Sequence, residues 1–138
     1  MIKMIISALF ISSSVVHAEQ LTTFTDIADS ISQGKKIKLV MNIQECNAEK
    51  LSSNSIIASV QPNAFLVIDN NRIAASVKHF TLDNPLARGN PVFEFVKYNI
   101  NSDGSVSIKK TVMNANNYQQ LASFQIECAL NKGFKAFY

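Results

Sequence analysis

The side chains best suited to acid–base catalysis in this sequence are two carboxylates and one histidine. Asp83 and Glu94 lie beside a polar, solvent-exposed loop predicted over residues 83–91, which makes them the best-placed pair for a carboxylate-based hydrolase. His79 is the only histidine left once the first 18 residues are set aside. No serine stands in a G-x-S-x-G elbow, and strand alternation places His79 at a strand rim, where a structural histidine is the commoner case. The sequence therefore predicts a protein that is not an enzyme, with hydrolysis as the alternative.

The common metal, cofactor and nucleic-acid signatures do not occur in the sequence. It contains no H-E-x-x-H motif, no C-x-x-C motif and no acidic loop with EF-hand spacing. The net charge of +3 is mild, and the basic residues are not gathered into a stripe. We therefore predict no bound metal, no cofactor and no nucleic-acid partner.

The first 18 residues have the composition of a secretory signal peptide. Lys3 supplies a positive start, residues 4–11 form a short apolar run, and small residues precede an expected cleavage before Glu19. The run is well short of the ~20 residues that span a bilayer, so an uncleaved anchor is the less favoured alternative. We expect one domain over residues 19–138, exported to the periplasm or secreted, without stable membrane insertion.

The stretch GKKIKLVMNIQEC, residues 34–46, alternates apolar and polar side chains as a half-buried β-strand does. In an unbroken pleat Cys46 would point away from the core, so we expect a bend or bulge near Glu45. The other cysteine is Cys128, and a single disulfide is the simplest arrangement for two cysteines in an exported chain. Two separate buried thiols are the alternative, which export disfavours.

A short helix is predicted immediately before this strand. Its apolar side chains recur at i, i+3, i+4 and i+7, namely Phe24, Ile27, Ala28 and Ile31. Thr23 suits the N-cap, and Gly34 suits the position just beyond the C-terminal end. Because a helix this short is marginal alone, we expect it to pack against the sheet.

Two β-hairpins are predicted in the middle of the chain. A two-residue turn at Asn70-Asn71 would place Leu66 opposite Ala75. The second hairpin joins residues 92–100 to residues 105–113, and a three-residue loop with Gly104 in the left-handed conformation gives the better apolar match.

In that second register, five side chains share the outer face of the hairpin: Phe93, Phe95, Lys97, Lys109 and Met113. Exposed aromatic side chains beside paired lysines suggest a surface for a protein partner or an anionic amphiphile. The alternative, which we favour, is that the N-terminal helix covers the phenylalanines and the lysines are simply solvated.

About seven or eight short antiparallel strands and one helix predict an α+β, mainly β fold. The strands would form a strongly curved sheet or a small barrel.

The signal segment, the short helix, the strand GKKIKLVMNIQEC (residues 34–46) and the terminal block SFQIECALNKGFKAFY (residues 123–138) together resemble the small exported bacterial VirK family. The resemblance implies an exported, virulence-associated protein of Gram-negative bacteria, with Cys46 bonded to Cys128. It carries over no active-site residue. We therefore expect a non-enzymatic protein that binds a protein partner or a small apolar or amphiphilic ligand.

Overall fold

The computed structural model describes residues 17–48 and 55–138 and arranges them as one mainly antiparallel β-sheet with one α-helix, α1 (Phe24–Ser32). The predicted mainly β class is confirmed. The signal peptide predicted over residues 1–18 lies almost entirely outside the described residues. The strands are β1 (Gln20–Leu21), β2 (Lys38–Asn42), β3 (Asn47–Ala48), β4 (Ile57–Val60), β5 (Phe65–Ile68), β6 (Arg72–Thr81), β7 (Val92–Asn101), β8 (Ser105–Asn114), β9 (Gln120–Leu130) and β10 (Gly133–Phe137).

Eight of the strands follow one path across the sheet, in the order β4-β2-β10-β9-β8-β7-β6-β5, with β1 added to β10 and β3 to β9. Every neighbouring pair is antiparallel except β9 and β10, which meet in parallel over two residue pairs. Only two residues separate these strands, so the chain bends sharply there instead of crossing over. Positive φ angles of 70° at Asn131 and 78° at Gly133 make the bend possible.

The sheet curls into a half-barrel that stays open along one side. β4 and β5 follow each other in the chain, yet they lie at opposite edges of the sheet. Within the described residues they form no ladder with each other, so a seam separates these two edges. The strongly curved sheet expected from the sequence is therefore an open one.

Helix α1 packs on the inner, concave face of the half-barrel. Thr23 and Asp26 form a reciprocal capping box at its N-terminus, and Gly34 follows its C-terminus with a φ of +71°. Ile27 is fully buried in the main apolar core, beside Leu39 from β2. The predicted helix is confirmed, and no helix in the described part of the chain is long and apolar enough to cross a membrane.

The strand predicted over residues 36–44 is shorter in the structure, because the chain leaves the sheet after Asn42 and makes a 3₁₀ turn over Ile43–Glu45. The bend expected near Glu45 is therefore present. It brings Cys46 to Cys128 on β9, and the two form a disulfide with their Cα atoms 4.5 Å apart. The bond ties the residue that follows this 3₁₀ turn to the central strand β9.

The two hairpins differ in how well their registers were predicted. The second is confirmed, because Ile100 lies opposite Val106 across a loop in which Gly104 has a φ of +85°. The first was wrong by one residue, because the positive φ angles of 49° and 50° fall at Asp69 and Asn70.

The shift in the first hairpin changes which side chains of β5 face the core. Phe65, and not Leu66, lies opposite the buried Ala75. Leu66, predicted to face inward, is 62% exposed.

Candidate functional site

A cavity of about 150 Å³ lies inside the half-barrel. Side chains from β2, β4 and β6 to β9 surround it. The apolar part of its lining includes Met41, Ala58, Val60, Val77, Val96, Ile108, Phe124 and Ile126. Four lining residues carry polar groups: His79, Glu94, Tyr98 and Lys110. The cavity is thus a hydrocarbon-lined space with a small polar cluster in its wall.

Glu94 is the centre of that polar cluster and is only 7% exposed. Lys110 Nζ lies 2.7 Å from its Oε1 atom, and Asn84 Nδ2 donates a hydrogen bond of 2.7 Å to the same oxygen. His79 Nε2 lies 3.4 Å from Oε2. Because a buried carboxylate is costly unless it is paired and hydrogen-bonded, these three groups account for an acid inside the sheet.

Strand alternation explains why Glu94 faces inward. On β7 the buried residues are Val92, Glu94, Tyr98 and Ile100, whereas Phe93 and Phe95 point to the outer face. This reverses the usual rule of apolar side chains inside and charged ones outside. The sequence alone therefore contained a signal for this site, namely an acid at an inward position of a strand.

Asn84 reaches Glu94 from the loop between β6 and β7, which was predicted to be solvent-exposed. In the structure the loop contains a 3₁₀ turn over Pro85–Ala87, and the Asn84 side chain caps it by accepting a hydrogen bond of 2.9 Å from the Leu86 amide. Ala87 is buried in a second small core with Val92. The loop therefore closes one end of the half-barrel interior. Most of its residues are exposed, as predicted, but Asn84 and Ala87 are buried.

Tyr98 presents a neutral hydroxyl in the cavity wall. Burial and, as the smaller cause, the negative charge of Glu94 together raise the pKa of this phenol from 10.0 to about 12. The side chain is 2% exposed. Its hydroxyl therefore stays protonated at physiological pH.

The carboxylate pair considered for hydrolysis is not brought together at this cavity. Asp83 is exposed on the loop, where its amide donates a hydrogen bond of 3.0 Å to Thr81 Oγ1. Glu94 is the one carboxylate among the described residues that line the cavity. The geometry thus gives no support to a two-carboxylate mechanism. His79 does lie at the rim, with 51% of its side chain exposed, and it contacts a carboxylate as a structural histidine would.

The outer face of β6 to β8 carries the second candidate surface. Phe93 lies opposite Met113, Phe95 opposite Thr111, and Lys97 opposite Lys109, in the predicted register. Phe93 and Phe95 are half-buried, and both lysines are exposed. Since α1 packs on the inner face, it does not cover these phenylalanines, contrary to the explanation that the sequence favoured.

Sequence reasoning missed three residues that belong with these two surfaces. Lys110 follows from the register of the second hairpin, which puts it opposite Val96 on the inner face. Phe80 on β6 lies opposite Phe93 on β7, and their ring centroids are 5.9 Å apart. Tyr118, from the turn after β8, stacks on Phe93 at 5.6 Å. No sequence signal in a turn residue could have indicated that stacking.

Comparison with known proteins gives one consistent result. A family model described as VirK protein matches residues 20–118. The crystal structure of a VirK family protein from Legionella pneumophila is 49% identical and superimposes with a TM-score of 0.83, covering 86% of this chain and 98% of that one.

Two curated proteins are more distantly similar. The uncharacterized protein y4wH of Sinorhizobium fredii is 22% identical over 120 residues, which is 85% of this chain and 81% of that protein. An uncharacterized protein from the pinF2 3′ region of Rhizobium radiobacter is 22% identical over 138 residues, or 96% and 93% of the two chains.

Proposed function

This chain belongs to the VirK family, and we propose that it is an exported, virulence-associated, non-enzymatic protein that binds a small apolar or amphiphilic ligand in the half-barrel cavity. The observation that carries the proposal is the composition of the cavity wall. Its lining is hydrocarbon except for a compact polar cluster around Glu94. A mostly apolar pocket with a few convergent polar groups is the usual form of a small-molecule site.

The size of the cavity limits what enters it. A volume of about 150 Å³ is comparable to an engineered apolar cavity of roughly that size that takes up benzene. The buried part of the ligand is therefore a single ring or a short hydrocarbon chain. Any longer part leaves through the open side of the half-barrel beside β4.

The charges of the cluster select the head group. Lys110 and His79 both lie at the cavity and are 32% and 51% exposed, whereas Glu94 is already paired with them. An anionic head group placed at the rim would meet two basic side chains. We therefore expect an anionic amphiphile to bind more tightly than a neutral one of the same chain length.

Isothermal titration calorimetry with short- and medium-chain alkanoates, and with alkanols of matching length, tests this assignment. Ala58 on β4 lines the cavity, so Ala58→Phe should fill it and weaken alkanoate binding by about tenfold or more. Ser59→Phe is the matched control, since Ser59 is exposed on the opposite face of the same strand. Equal binding by the two variants would show that the ligand does not occupy this space. Equal affinity for alkanols and alkanoates of the same length would contradict the preference for an anionic head group.

Export is the second part of the proposal. The disulfide between Cys46 and Cys128 supports it, because such bonds persist in oxidising compartments. Intact mass of the protein recovered from the periplasm or the medium should show a chain that begins at Glu19 with both cysteines oxidised. A chain recovered only from the cytoplasm, still carrying residues 1–18, would contradict it.

A further inference from the structure

We propose that one end of the half-barrel docks onto an anionic lipid bilayer. This end comprises the C-terminal end of β6, the loop to β7, and the turn between β8 and β9, and we call it the apolar tip. The proposal is independent of the cavity ligand, since it concerns a different surface.

The apolar tip holds five large hydrophobic side chains that are each at least 44% exposed. The strand registers place all of them at the same end of the sheet, because Thr81 pairs with Val92, and the next two strands reach that end as well. Exposed apolar side chains gathered in one place, unlike ones scattered singly, mark an interaction site. The five are Phe80, Leu82, Leu86, Tyr118 and Leu121.

The turns that carry these side chains are firmly built. The 3₁₀ turn is capped by Asn84, and the β8–β9 turn is held by Asn114 Oδ1, which accepts a hydrogen bond of 2.8 Å from the Asn116 amide. Phe80 and Tyr118 both contact the ring of Phe93. The hydrogen bonds of the turns and the contacts with Phe93 thus fix the exposed positions of these side chains.

Lysines lie on the outer face of the sheet, in the rows next to the apolar tip. Moving back from the row of Phe80, Phe93 and Met113, the next row of the outer face contains Lys78, and the row after that contains Lys97 and Lys109. Rows on one face of a strand are two residues apart, so they are spaced by about 7 Å.

No acid occurs in these three rows across β6 to β9. In the adjoining loop, the exposed Asp83 and Arg88 offset each other. The surface therefore presents positive charge behind the apolar tip.

This order of groups selects the partner. A bilayer with acidic lipids offers hydrocarbon first and a layer of negative charge about one row further out. Phe80 projects from the end of β6, and Leu86 and Tyr118 project from two separate turns, which suits a fluid surface better than a fixed protein counterpart. Apolar groups at the front with Lys78 one row behind match that profile in both chemistry and depth.

The absence of tryptophan from the sequence allows a direct test. Leu86→Trp places a single reporter at the tip, and Leu66→Trp places one at another exposed leucine, on β5. With vesicles of equal phosphatidylcholine and phosphatidylglycerol, we expect the Leu86→Trp emission to shift to the blue and to be quenched by brominated acyl chains. The Leu66→Trp emission should do neither. No shift at Leu86→Trp, or the same shift at both positions, would overturn the proposal.

Charge is tested by vesicle co-sedimentation of the otherwise unaltered chain. Reversal of Lys78, Lys97 and Lys109 to glutamate should weaken binding to the acidic vesicles by about a hundredfold. Reversal of three exposed lysines elsewhere, Lys36, Lys38 and Lys135, is the control with the same net charge, and should have a much smaller effect.

Equal loss in the two triple variants would overturn the proposed orientation. Self-association through the tip, seen as a change in sedimentation mass on Leu86→Ser without loss of vesicle binding, would overturn the bilayer as its partner.

Discussion

Lys110 holds its ammonium nitrogen 2.7 Å from a carboxylate oxygen of Glu94, inside the wall of the half-barrel. The pair joins neighbouring strands, β7 and β8, on a face that is mostly apolar. Glu94 keeps 9% of its side chain exposed and Lys110 keeps 32%, so water screens the lysine but hardly reaches the acid. The carboxylate therefore depends on its partners.

Removing the lysine should expose that dependence. Lys110→Met is expected to lower the free energy of unfolding by about 2 kcal/mol, because it leaves a buried carboxylate short of a charged donor. Urea denaturation measures the change. Glu94→Gln combined with Lys110→Met should be less destabilised than the sum of the single variants. Strict additivity would show that the pair is not coupled, and Lys109→Met on the outer face is the control.

The disulfide closes a long loop and should contribute strongly to stability. Cys46 and Cys128 are 82 residues apart in the chain, and the chain-entropy model gives about 4–5 kcal/mol for such a loop. The double variant Cys46→Ala/Cys128→Ala should lose most of that amount in urea denaturation. The wild-type protein measured with reductant should agree with it. A loss below about 1 kcal/mol would mean that the unfolded chain is already compact.

Gly133 should tolerate no side chain. Its φ is +78°, and an added Cβ would lie 2.6 Å from Cys46 Sγ. Gly104 has a similar φ of +85° with open space around it, so Gly104→Ala measures the backbone strain alone. We expect Gly104→Ala to cost about 1 kcal/mol and Gly133→Ala about 1–3 kcal/mol more. Similar losses for the two variants would mean that the disulfide can move aside.

Alkaline pH should act through Tyr98. Its pKa is raised from 10.0 to about 12 in the folded protein, so the unfolded chain loses this proton first. The stabilising contribution is complete below pH 10.0 and is lost as the pH rises towards about 12. Tyr98→Phe should lose less stability over that interval than the wild type. Phenolate absorbance gives a second readout. Ionisation of Tyr98 with the ordinary tyrosine pKa of 10.0 would contradict the burial argument.

Local features of this fold were predictable from the sequence because they rest on short-range rules. The N-cap at Thr23, the bend near Glu45 and the left-handed Gly104 follow from residue type and spacing. The first hairpin was mispredicted because Asp69 as well as Asn70 accepts a positive φ, and the sequence offers no ranking between the two turn positions.

The candidate site was only half predictable. The confirmed register already placed Glu94 and Lys110 on the same inward face, so their pairing was open to inference. The contact of Asn84 with Glu94 was not open to inference, because it depends on the path of the loop between β6 and β7. The open seam and the parallel contact of β10 with β9 depend on packing between distant parts of the chain, which strand patterns do not encode.

The position of β10 sets the order in which this protein can fold. β10, the last of the ten strands in chain order, lies between β2 and β9 and also pairs with β1, so Leu21 and Leu39 both pair with Ala136. Such pairing between chain ends is slow to form, because a long loop must close before any contact compensates for it. The sheet therefore stays incomplete until β10 has formed, whichever of its other strands pair first.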